Sequence, residues 1–496
     1  MPQHILISRR KHSSITLPLL CLLALFAPLA GQRQPPKSQK HVVYIPLSDA
    51  RKVLSALDEI LPAELKGKTE QQLADIWPSW VKQQDRKIRA RLAQGDEDSL
   101  INFLLFGTSF TKQPRVALDQ IAQLKMLGQS SAPAETGQAG QLDRLINSRI
   151  NDLLASLRVP GVNERLLFAR RILVDQKHFK LASPNDQSKA RESLRASINR
   201  VLNENAGYAR ALESARLQGN PTEEFAERSR LFRTRGLASD TSLFPNFAIE
   251  ESLKQIEARG LLTPGAVRRV AIVGPGLDFT DKQEGYDLYP VQTIQPFAVI
   301  DTLLRLRLAK ANELQLTTFD LSSRVNNHLE RAGQRARAGL SYVVQLPRDL
   351  SAQWKPETVS YWQRFGDQIG TPAPPVSVPA AVGALRIRAI RIRAALVSRV
   401  SPVDTNIVLQ RPELPLAEKF DLIIGTNIFL YYDNLDQSLA MINIENLLKP
   451  GGLLLSNNAL LELPFFKVRS IGYSAVLYSD RPNDGDSIVW YQRSSD

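Results

Sequence analysis

The sequence predicts an α/β fold, with a C-terminal part built on a parallel β-sheet and an all-helical domain before it. Three features predict this fold. Apolar runs of strand length alternate with helical patterns from about residue 260 onward. Before that point, nearly every segment has helical spacing. Near the end, a Lys-Pro-Gly-Gly turn at residues 449–452 separates a helical pattern from an apolar run, which indicates a strand, helix, strand unit.

Length and composition are those of a globular protein with a surplus of basic residues. The 496 residues allow two or three domains, and 43% of them are hydrophobic and 23% charged. The 63 basic and 50 acidic residues give a net charge of +13, which favours anionic partners. Because the basic residues are scattered and no nucleic-acid-binding motif accompanies them, we expect no nucleic-acid partner.

Residues 1–31 are predicted to be a signal peptide. A basic start at residues 9–11 precedes an apolar run over residues 15–30, which ends in small residues. The run is short for a spanning helix and contains Pro18 and Pro28, which favours export to the periplasm or cell envelope. Basic residues also follow it, so a membrane anchor with a cytoplasmic body stays open. The lone cysteine, Cys21, lies here, so we expect no disulfide and no metal site in the mature chain.

The next two predicted segments are a linker and the helical domain. Residues 32–48 are predicted to be the linker because their first part is polar and contains prolines. Residues 49–243 are predicted to be the helical domain, and no feature in them indicates a chemistry. Its strongest helical patterns lie at residues 53–61, 100–106, 142–157, 166–174 and 190–202.

Residues 244–496 are predicted to hold the sheet. The predicted strands or extended segments are residues 267–273, 314–319, 342–346, 386–400, 420–430, 453–455, 468–478 and 487–492. A helix is predicted over residues 437–448, and the last two strands are expected to form a hairpin. Alternating arginines at 386, 388, 391 and 393 form a basic stripe, for which solvated edge-strand arginines are the plainer explanation and an acidic partner the alternative.

The stretch from residue 419 to 458 carries a family resemblance. Phe420-Asp421-Leu422-Ile423, then Asn427 to Asp433, and then the LKPGG turn resemble the later half of class I S-adenosylmethionine (SAM) dependent methyltransferases. They are most similar to the CheR-type protein-glutamate methyltransferases, although Thr426 stands where that family has arginine. The resemblance covers about residues 267–493. It implies a Rossmann-like seven-stranded sheet, SAM as cofactor, and methyl transfer to a carboxylate of an acidic protein substrate.

The same resemblance assigns candidate residues to the first half of a SAM site. Gly274 and Gly276 supply a glycine-rich turn after the first strand, with Asp278 in place of a third glycine. Asp320, at the end of the second strand, is the acid that would accept hydrogen bonds from the ribose hydroxyls. The alternatives are a tight turn without a ligand and an aspartate that only caps the next helix.

The second half of the site is assigned to two later segments. Asn406 and Ile407 match the step that meets the adenine, and Asn427 lies at the end of the strand facing the methyl group. Tyr431 and Tyr432 are the candidates for contact with the acceptor, where positioning outweighs acid-base chemistry. An ordinary turn at residues 404–406 and two packing tyrosines are the alternatives.

Other chemistries have little support in the sequence. The histidines after the signal form no HExxH pattern, and no G-x-S-x-G elbow occurs. The competing hypothesis is a degenerate methyltransferase fold that acts as a non-catalytic binding or scaffold protein of the cell envelope. The signal peptide favours it, because SAM is made in the cytoplasm and an exported enzyme would have to bind it before export.

Overall fold

The computed structural model describes residues 41–116, 138–217, 232–233, 235–280, 286–379, 382–481 and 484–495. The predicted signal peptide and the first part of the predicted linker lie outside these ranges. All the described residues belong to one compact unit that begins at His41. Within the same ranges, no helix is both long enough and apolar enough to cross a membrane.

The strands belong to one large sheet and two small ones. In chain order they are β1 (Val42–Tyr44), β2 (Arg269–Val273), β3 (Gln315–Asp320), β4 (Tyr342–Asp349), β5 (Gly370–Ala373), β6 (Leu385–Ile392), β7 (Val400–Asp404), β8 (Gln410–Pro412), β9 (Phe420–Gly425), β10 (Leu448–Ser456), β11 (Val468–Leu477) and β12 (Gly485–Arg493). The large sheet has seven strands in the order β11-β12-β10-β9-β2-β3-β7.

This sheet confirms the expected α/β fold. β2 pairs in parallel with β3 on one side and with β9 on the other, and the parallel pairing extends to β7 and β10. β12 pairs antiparallel with both β10 and β11, so the predicted closing hairpin makes the sheet mixed. The central strands are apolar almost without interruption because helices cover both faces of such a sheet.

Helices fill most of the described chain before the sheet, as predicted. In chain order the helices are α1 (Leu47–Ala56), α2 (Glu70–Phe106), α3 (Gln138–Ser156), α4 (Glu164–Arg170), α5 (Pro184–Leu217), α6 (Phe244–Ala258), α7 (Gln295–Arg305), α8 (Ser323–Arg337), α9 (Pro356–Arg364), α10 (Ala394–Val397) and α11 (Asn434–Leu447). Thr69 and Gln72 form a capping box that begins α2, and the Asp433 side chain caps α11.

The predicted linker differs from the structure over residues 41–48. β1 pairs antiparallel with β8, with Val42 opposite Pro412, and α1 begins at Leu47. Trp77 of α2 donates from Nε1 to the Ile45 carbonyl oxygen at 2.9 Å. The segment is therefore part of the compact unit that begins at His41.

Two predicted strands lie in a separate small sheet. β4 and β6 pair antiparallel with each other, and β5 adds to β6 on its other side. Three arginines of the basic stripe, at 386, 388 and 391, lie on β6, and Arg393 follows it. Residues 389–392 of β6 pair on both sides, so β6 is an edge strand only over its first part. One of its arginines, Arg388, stacks over Trp362 at 5.3 Å from the ring centroid. The edge-strand explanation therefore applies to only part of the stripe.

Candidate functional site

The seven-stranded sheet has a topological switch point at β2. The chain continues from β2 to β3 on one side and later adds β9 on the other. In open α/β sheets, ligands bind in the crevice at the carboxyl ends of the strands at such a point. A cleft lies there, with about 800 Å3 of space not filled by atoms, part of it open to solvent. Seven predicted site residues line it, namely Gly274, Gly276, Asp320, Ile407, Asn427, Tyr431 and Tyr432.

The turn after β2 requires its two glycines. Gly274 and Gly276 have φ angles of +64° and +63°, a region that side chains disfavour. A Cβ atom on Gly274 would lie 2.1 Å from Cδ1 of Ile428, and one on Gly276 would lie 2.8 Å from the Ser239 carbonyl oxygen. The bare backbone of this turn therefore forms one wall of the cleft, and a side chain at either glycine would collide with its neighbours.

Asp320 ends β3 in the cleft and is only 8% exposed. One carboxylate oxygen accepts the Ser322 N–H at 2.7 Å, and the Gly276 N–H also donates to the carboxylate. Helix α8 has Ser322 as its N-cap, so Asp320 is not that helix's cap. Burial raises the pKa of Asp320 to about 7, against the opposing effects of both N–H groups and of the Arg324 charge. A ligand that donates hydrogen bonds would favour its charged form.

The end of β9 is fixed by side-chain hydrogen bonds. Asn427 has a φ of +59°, which asparagine tolerates better than most residues. Its N–H donates to Oδ1 of Asn457 at 2.7 Å, and its own Oδ1 accepts from Nδ2 of Asn457 at 2.6 Å. Thr426 is buried and accepts from Nε2 of Gln295 at 3.0 Å. Asn427 is therefore positioned at the cleft, with its side chain paired to Asn457.

The two predicted catalytic tyrosines lie side by side at the cleft but differ in their surroundings. Tyr432 is buried, whereas Tyr431 is half-buried and its ring packs edge-on against Phe232, with centroids 5.4 Å apart. Burial raises the pKa of Tyr431 to about 12 and raises the pKa of Tyr432 further. The Ala238 N–H donates to the Tyr431 hydroxyl. Both phenols therefore stay protonated near neutral pH and serve as hydrogen-bonding or packing groups rather than bases.

Asn406 lies outside the cleft, while its neighbours Thr405 and Ile407 line it. The Asn406 side chain is buried and donates to Oδ1 of Asp85 on α2 at 2.7 Å, and its own Oδ1 accepts the Val408 N–H. The amide thus stabilises a turn and a contact with the helical part, which explains why it is turned away from the cleft. Of the predicted adenine-binding pair, the structure brings only Ile407 to the site.

Asp278 also lies outside the cleft. Its carboxylate is buried and accepts from the Tyr289 hydroxyl at 3.0 Å and from Nε2 of Gln292 at 2.8 Å. Its N–H donates to the Gln292 carbonyl oxygen. These bonds hold the chain after the glycine turn against the segment that leads into α7, so Asp278 is not a substitute for a third glycine in the cleft.

The helix-rich part contributes a cover that the sequence did not reveal. Leu92 of α2 and residues 237–241 line the cleft together with the strand ends. We call residues 235–241 the cover segment. It lies beside the glycine turn, because the Leu277 N–H donates to the Ser239 carbonyl oxygen at 2.7 Å and the Thr241 N–H donates to the Leu277 carbonyl oxygen at 2.9 Å.

The cover segment is attached to α2 by an arginine and by two glycines. Arg91 donates to the carbonyl oxygens of Phe232 and Arg235 and also to that of Tyr431, at 2.9 to 3.1 Å. A Cβ atom on Gly95 would lie 1.9 Å from the Leu237 carbonyl oxygen, and one on Gly236 would lie 2.2 Å from the Gly95 nitrogen. Helix and cover segment thus meet backbone to backbone, a contact that only glycine permits.

Little in the sequence indicated these residues. A glycine within a long helix lowers helix propensity, so Gly95 is a signal of a close contact, but its partner cannot be read from the chain. Arg91 belongs to a charged run that is typical of a solvated helix face.

The comparisons with known proteins give only distant similarities. No family model and no curated protein matches the chain. Among solved structures, the N-methyltransferase NodS of Bradyrhizobium japonicum WM9 is 14% identical, with 50% of this chain and 97% of that chain covered and a TM-score of 0.24. Magnesium protoporphyrin IX methyltransferase (ChlM) of Synechocystis PCC 6803, with bound SAM, is 9% identical, covering 55% and 85%, with a TM-score of 0.25. A TehB-like SAM-dependent methyltransferase of Corynebacterium glutamicum is 9% identical, covering 55% and 100%, with a TM-score of 0.24.

Proposed function

We propose that the chain binds SAM in the cleft at the switch point and is a SAM-dependent methyltransferase. The observation that supports this best is the buried carboxylate of Asp320, which faces the Gly274 to Gly276 turn at the ends of neighbouring strands. A carboxylate next to a turn without side chains suits SAM. Its ribose hydroxyls can donate hydrogen bonds to the carboxylate, and its methionine part can pass close to the backbone of the turn.

The residues present fit that cofactor. The glycine turn leaves room that any Cβ atom would occupy, and Asp320 keeps acceptor capacity beyond its two N–H donors. Oγ1 of Thr405 is buried, lines the cleft and has no hydrogen-bond partner among the described residues, so it offers a polar contact to a ligand. Apolar contact to an adenine would come from Ile407 and Leu92.

The roles of the side chains follow from their surroundings. SAM supplies a methyl group on a sulfonium, which needs an aligned acceptor more than a strong base. Asp320 would hold the ribose of SAM, and the turn at Gly274 would lie beside its methionine part. Tyr431 and Tyr432, both protonated, would orient the acceptor, with the β9 end held in place by the Asn427 pair. The cover segment would exclude water.

For the acceptor, we propose a carboxylate of an acidic protein. The support is the CheR-like pattern at residues 420–433 and the net charge of +13. A carboxylate acceptor is ionised at neutral pH and needs no base, which suits a site whose tyrosines stay protonated.

The second candidate is a non-catalytic binding module of the same fold, exported by its N-terminal segment. It is favoured by Thr426, which replaces the arginine of the CheR-type pattern and accepts a hydrogen bond from Gln295. It is also favoured by the Asn427 side chain, which is already paired with Asn457. A binding module and an enzyme both require a ligand in the cleft, so turnover separates them.

Calorimetric titration with SAM tests the cofactor. We expect binding by the full chain and a loss of about ten- to a hundredfold in affinity for Asp320→Asn, because a charge-assisted hydrogen bond contributes about 1.5–3 kcal/mol. Asp421→Asn is the matched control, because Asp421 also accepts two backbone N–H groups but lies near the start of β9 and does not line the cleft. No binding by the wild type, or an equal loss in both variants, would contradict the proposal. Labelled SAM with an acidic protein then tests turnover.

A further inference from the structure

A second large concavity lies between the helix-rich part, helix α8 and strand β4. It has about 1620 Å3 of space not filled by atoms, part of it open to solvent. Residues 162–165, 287–292, 328–335 and 341–343 contribute to its walls. We call it the basic groove. It combines apolar surface with charge, because Val162, which is 95% exposed, lies at the same groove as Arg331 and Arg335.

Two arginines of the groove point from one face of α8. Arg331 and Arg335 are four residues apart, so they lie one helical turn from each other, and both are exposed. Among the described residues, neither forms an ion pair with a carboxylate within 4.0 Å. His328 precedes them on the same face, and its Nε2 is hydrogen-bonded to the Tyr342 hydroxyl at 2.8 Å. Burial and the Arg331 charge lower the pKa of His328 to about 4, so this ring is neutral.

A third arginine lies in the wall and is buried. Arg165 is 2% exposed and donates to the carbonyl oxygens of Phe279, Asp287 and Tyr289. Its Nη2 is buried with no hydrogen-bond partner among the described residues. The guanidinium also lies over the rings of Phe279 and Tyr289, at 5.7 and 5.5 Å from their centroids. No carboxylate pairs with it among the described residues, so a nearby anion would stabilise it.

The two acidic residues of the groove are occupied by other donors. Glu164 accepts the Val291 N–H at 2.9 Å. Asp287 accepts backbone N–H and hydroxyl bonds from Thr108 and Ser109. Neither carboxylate is paired with a groove arginine among the described residues, so the groove keeps three positive charges against two internally bonded negative ones.

We infer that the basic groove docks an acidic segment of a polypeptide, with its carboxylates at Arg331 and Arg335 and its apolar side chains against Val162. A peptide is favoured over a small anion because the groove has about 1620 Å3 of unfilled space and mixes apolar with cationic surface. This inference deepens the proposed function, since it gives an acidic protein acceptor a docking site. Segment 287–292 of the groove leads directly to Gln295 in the SAM cleft.

The test uses a fluorescein-labelled peptide rich in glutamate and leucine, and fluorescence anisotropy with the full chain in the absence of SAM. We expect binding that weakens with salt, and a loss of about tenfold or more for the double variant Arg331→Gln, Arg335→Gln. The matched control is Lys82→Gln, Arg86→Gln on α2, which removes the same charge from two exposed positions four residues apart on a helix outside the groove. This control should bind within about twofold of wild type.

Three outcomes of the binding titrations would overturn the inference. These are no binding of the peptide, an equal loss in both double variants, and equal binding of a peptide in which glutamine replaces every glutamate. Displacement of the peptide by phosphate alone at low concentration would also overturn it, in favour of a small-anion site. SAM titration of the groove variant keeps the two proposals distinguishable, because its cleft is unchanged and its SAM affinity should equal that of wild type.

Discussion

The floor and the cover of the cleft are built from different kinds of contact. The floor consists of strand ends: Gly274 follows β2, Asp320 ends β3, and Asn427 lies two residues after β9. The cover is the cover segment together with α2. Arg91 of α2 holds it together through bonds to residues 141 and 340 positions away in the chain. A floor built from local turns can be read from a sequence, whereas a cover built from remote contacts cannot.

The largest effect is expected for Gly95→Ala, which changes the contact between α2 and the cover segment and leaves the floor residues as they are. The new methyl carbon would lie 1.9 Å from the Leu237 carbonyl oxygen, so the cover segment must move. Overpacking of this kind costs about 1–3 kcal/mol or more. We expect a lower free energy of unfolding in urea and a SAM affinity reduced at least about tenfold, because Leu237 and its neighbours line the cleft.

Gly333→Ala is the control for that variant. Gly333 also lies inside a helix, α8, but a Cβ atom there would meet only Nη1 of Arg337, at 3.5 Å. Alanine should therefore stabilise the protein by about 0.5–1 kcal/mol through helix propensity and leave SAM binding unchanged. If Gly95→Ala behaved like Gly333→Ala, the cover would not be a rigid part of the site.

Individual strands and residues show what could and could not be predicted from the sequence. Strands β2, β3, β9 and β10 were predictable because each carries its own apolar run, whereas the total of seven strands in this sheet was implied by the family resemblance. The small sheet of β4, β5 and β6 was not separated from it, because strand patterns do not state which strand is the partner. Asn406 and Asp278 lie outside the cleft for a related reason: their residue types suit a ligand, but their side chains are bonded to Asp85, Tyr289 and Gln292.

A smaller effect tests the floor through the protonation of Asp320. Its pKa is raised to about 7 by burial, so near pH 6 most of the protein carries the neutral acid. Hydroxyl donors of a ligand favour the ionised form, so binding releases a proton and affinity rises with pH. We expect SAM to bind about tenfold more tightly at pH 8 than at pH 6. Calorimetry in buffers of different ionisation heat measures the proton release.

The raised pKa of Asp320 also makes the stability of the protein depend on pH. An acid whose pKa is raised in the folded state binds its proton more tightly there than in the unfolded chain. The free energy of unfolding therefore falls as pH rises from about 4 to 7. Asp320→Asn removes both dependences. Should the wild type show the same SAM affinity at both pH values, or Asp320→Asn keep the pH dependence, another group would be the acceptor.

The smallest expected effect comes from Tyr431, where floor and cover meet. Its hydroxyl accepts the Ala238 N–H of the cover segment, and its carbonyl oxygen accepts from Arg91. Tyr431→Phe removes one neutral hydrogen bond, worth about 1 kcal/mol. If Tyr431 only holds the cover, this variant should lose about fivefold in SAM affinity.

If Tyr431 orients the acceptor, the variant should instead lose turnover with labelled SAM at nearly unchanged SAM affinity. We expect the turnover loss to exceed the affinity loss, because the Ala238 N–H can be reached by water at the partly open cleft. Equal losses in both measurements would assign Tyr431 to the cover alone and leave Tyr432 as the residue for the acceptor.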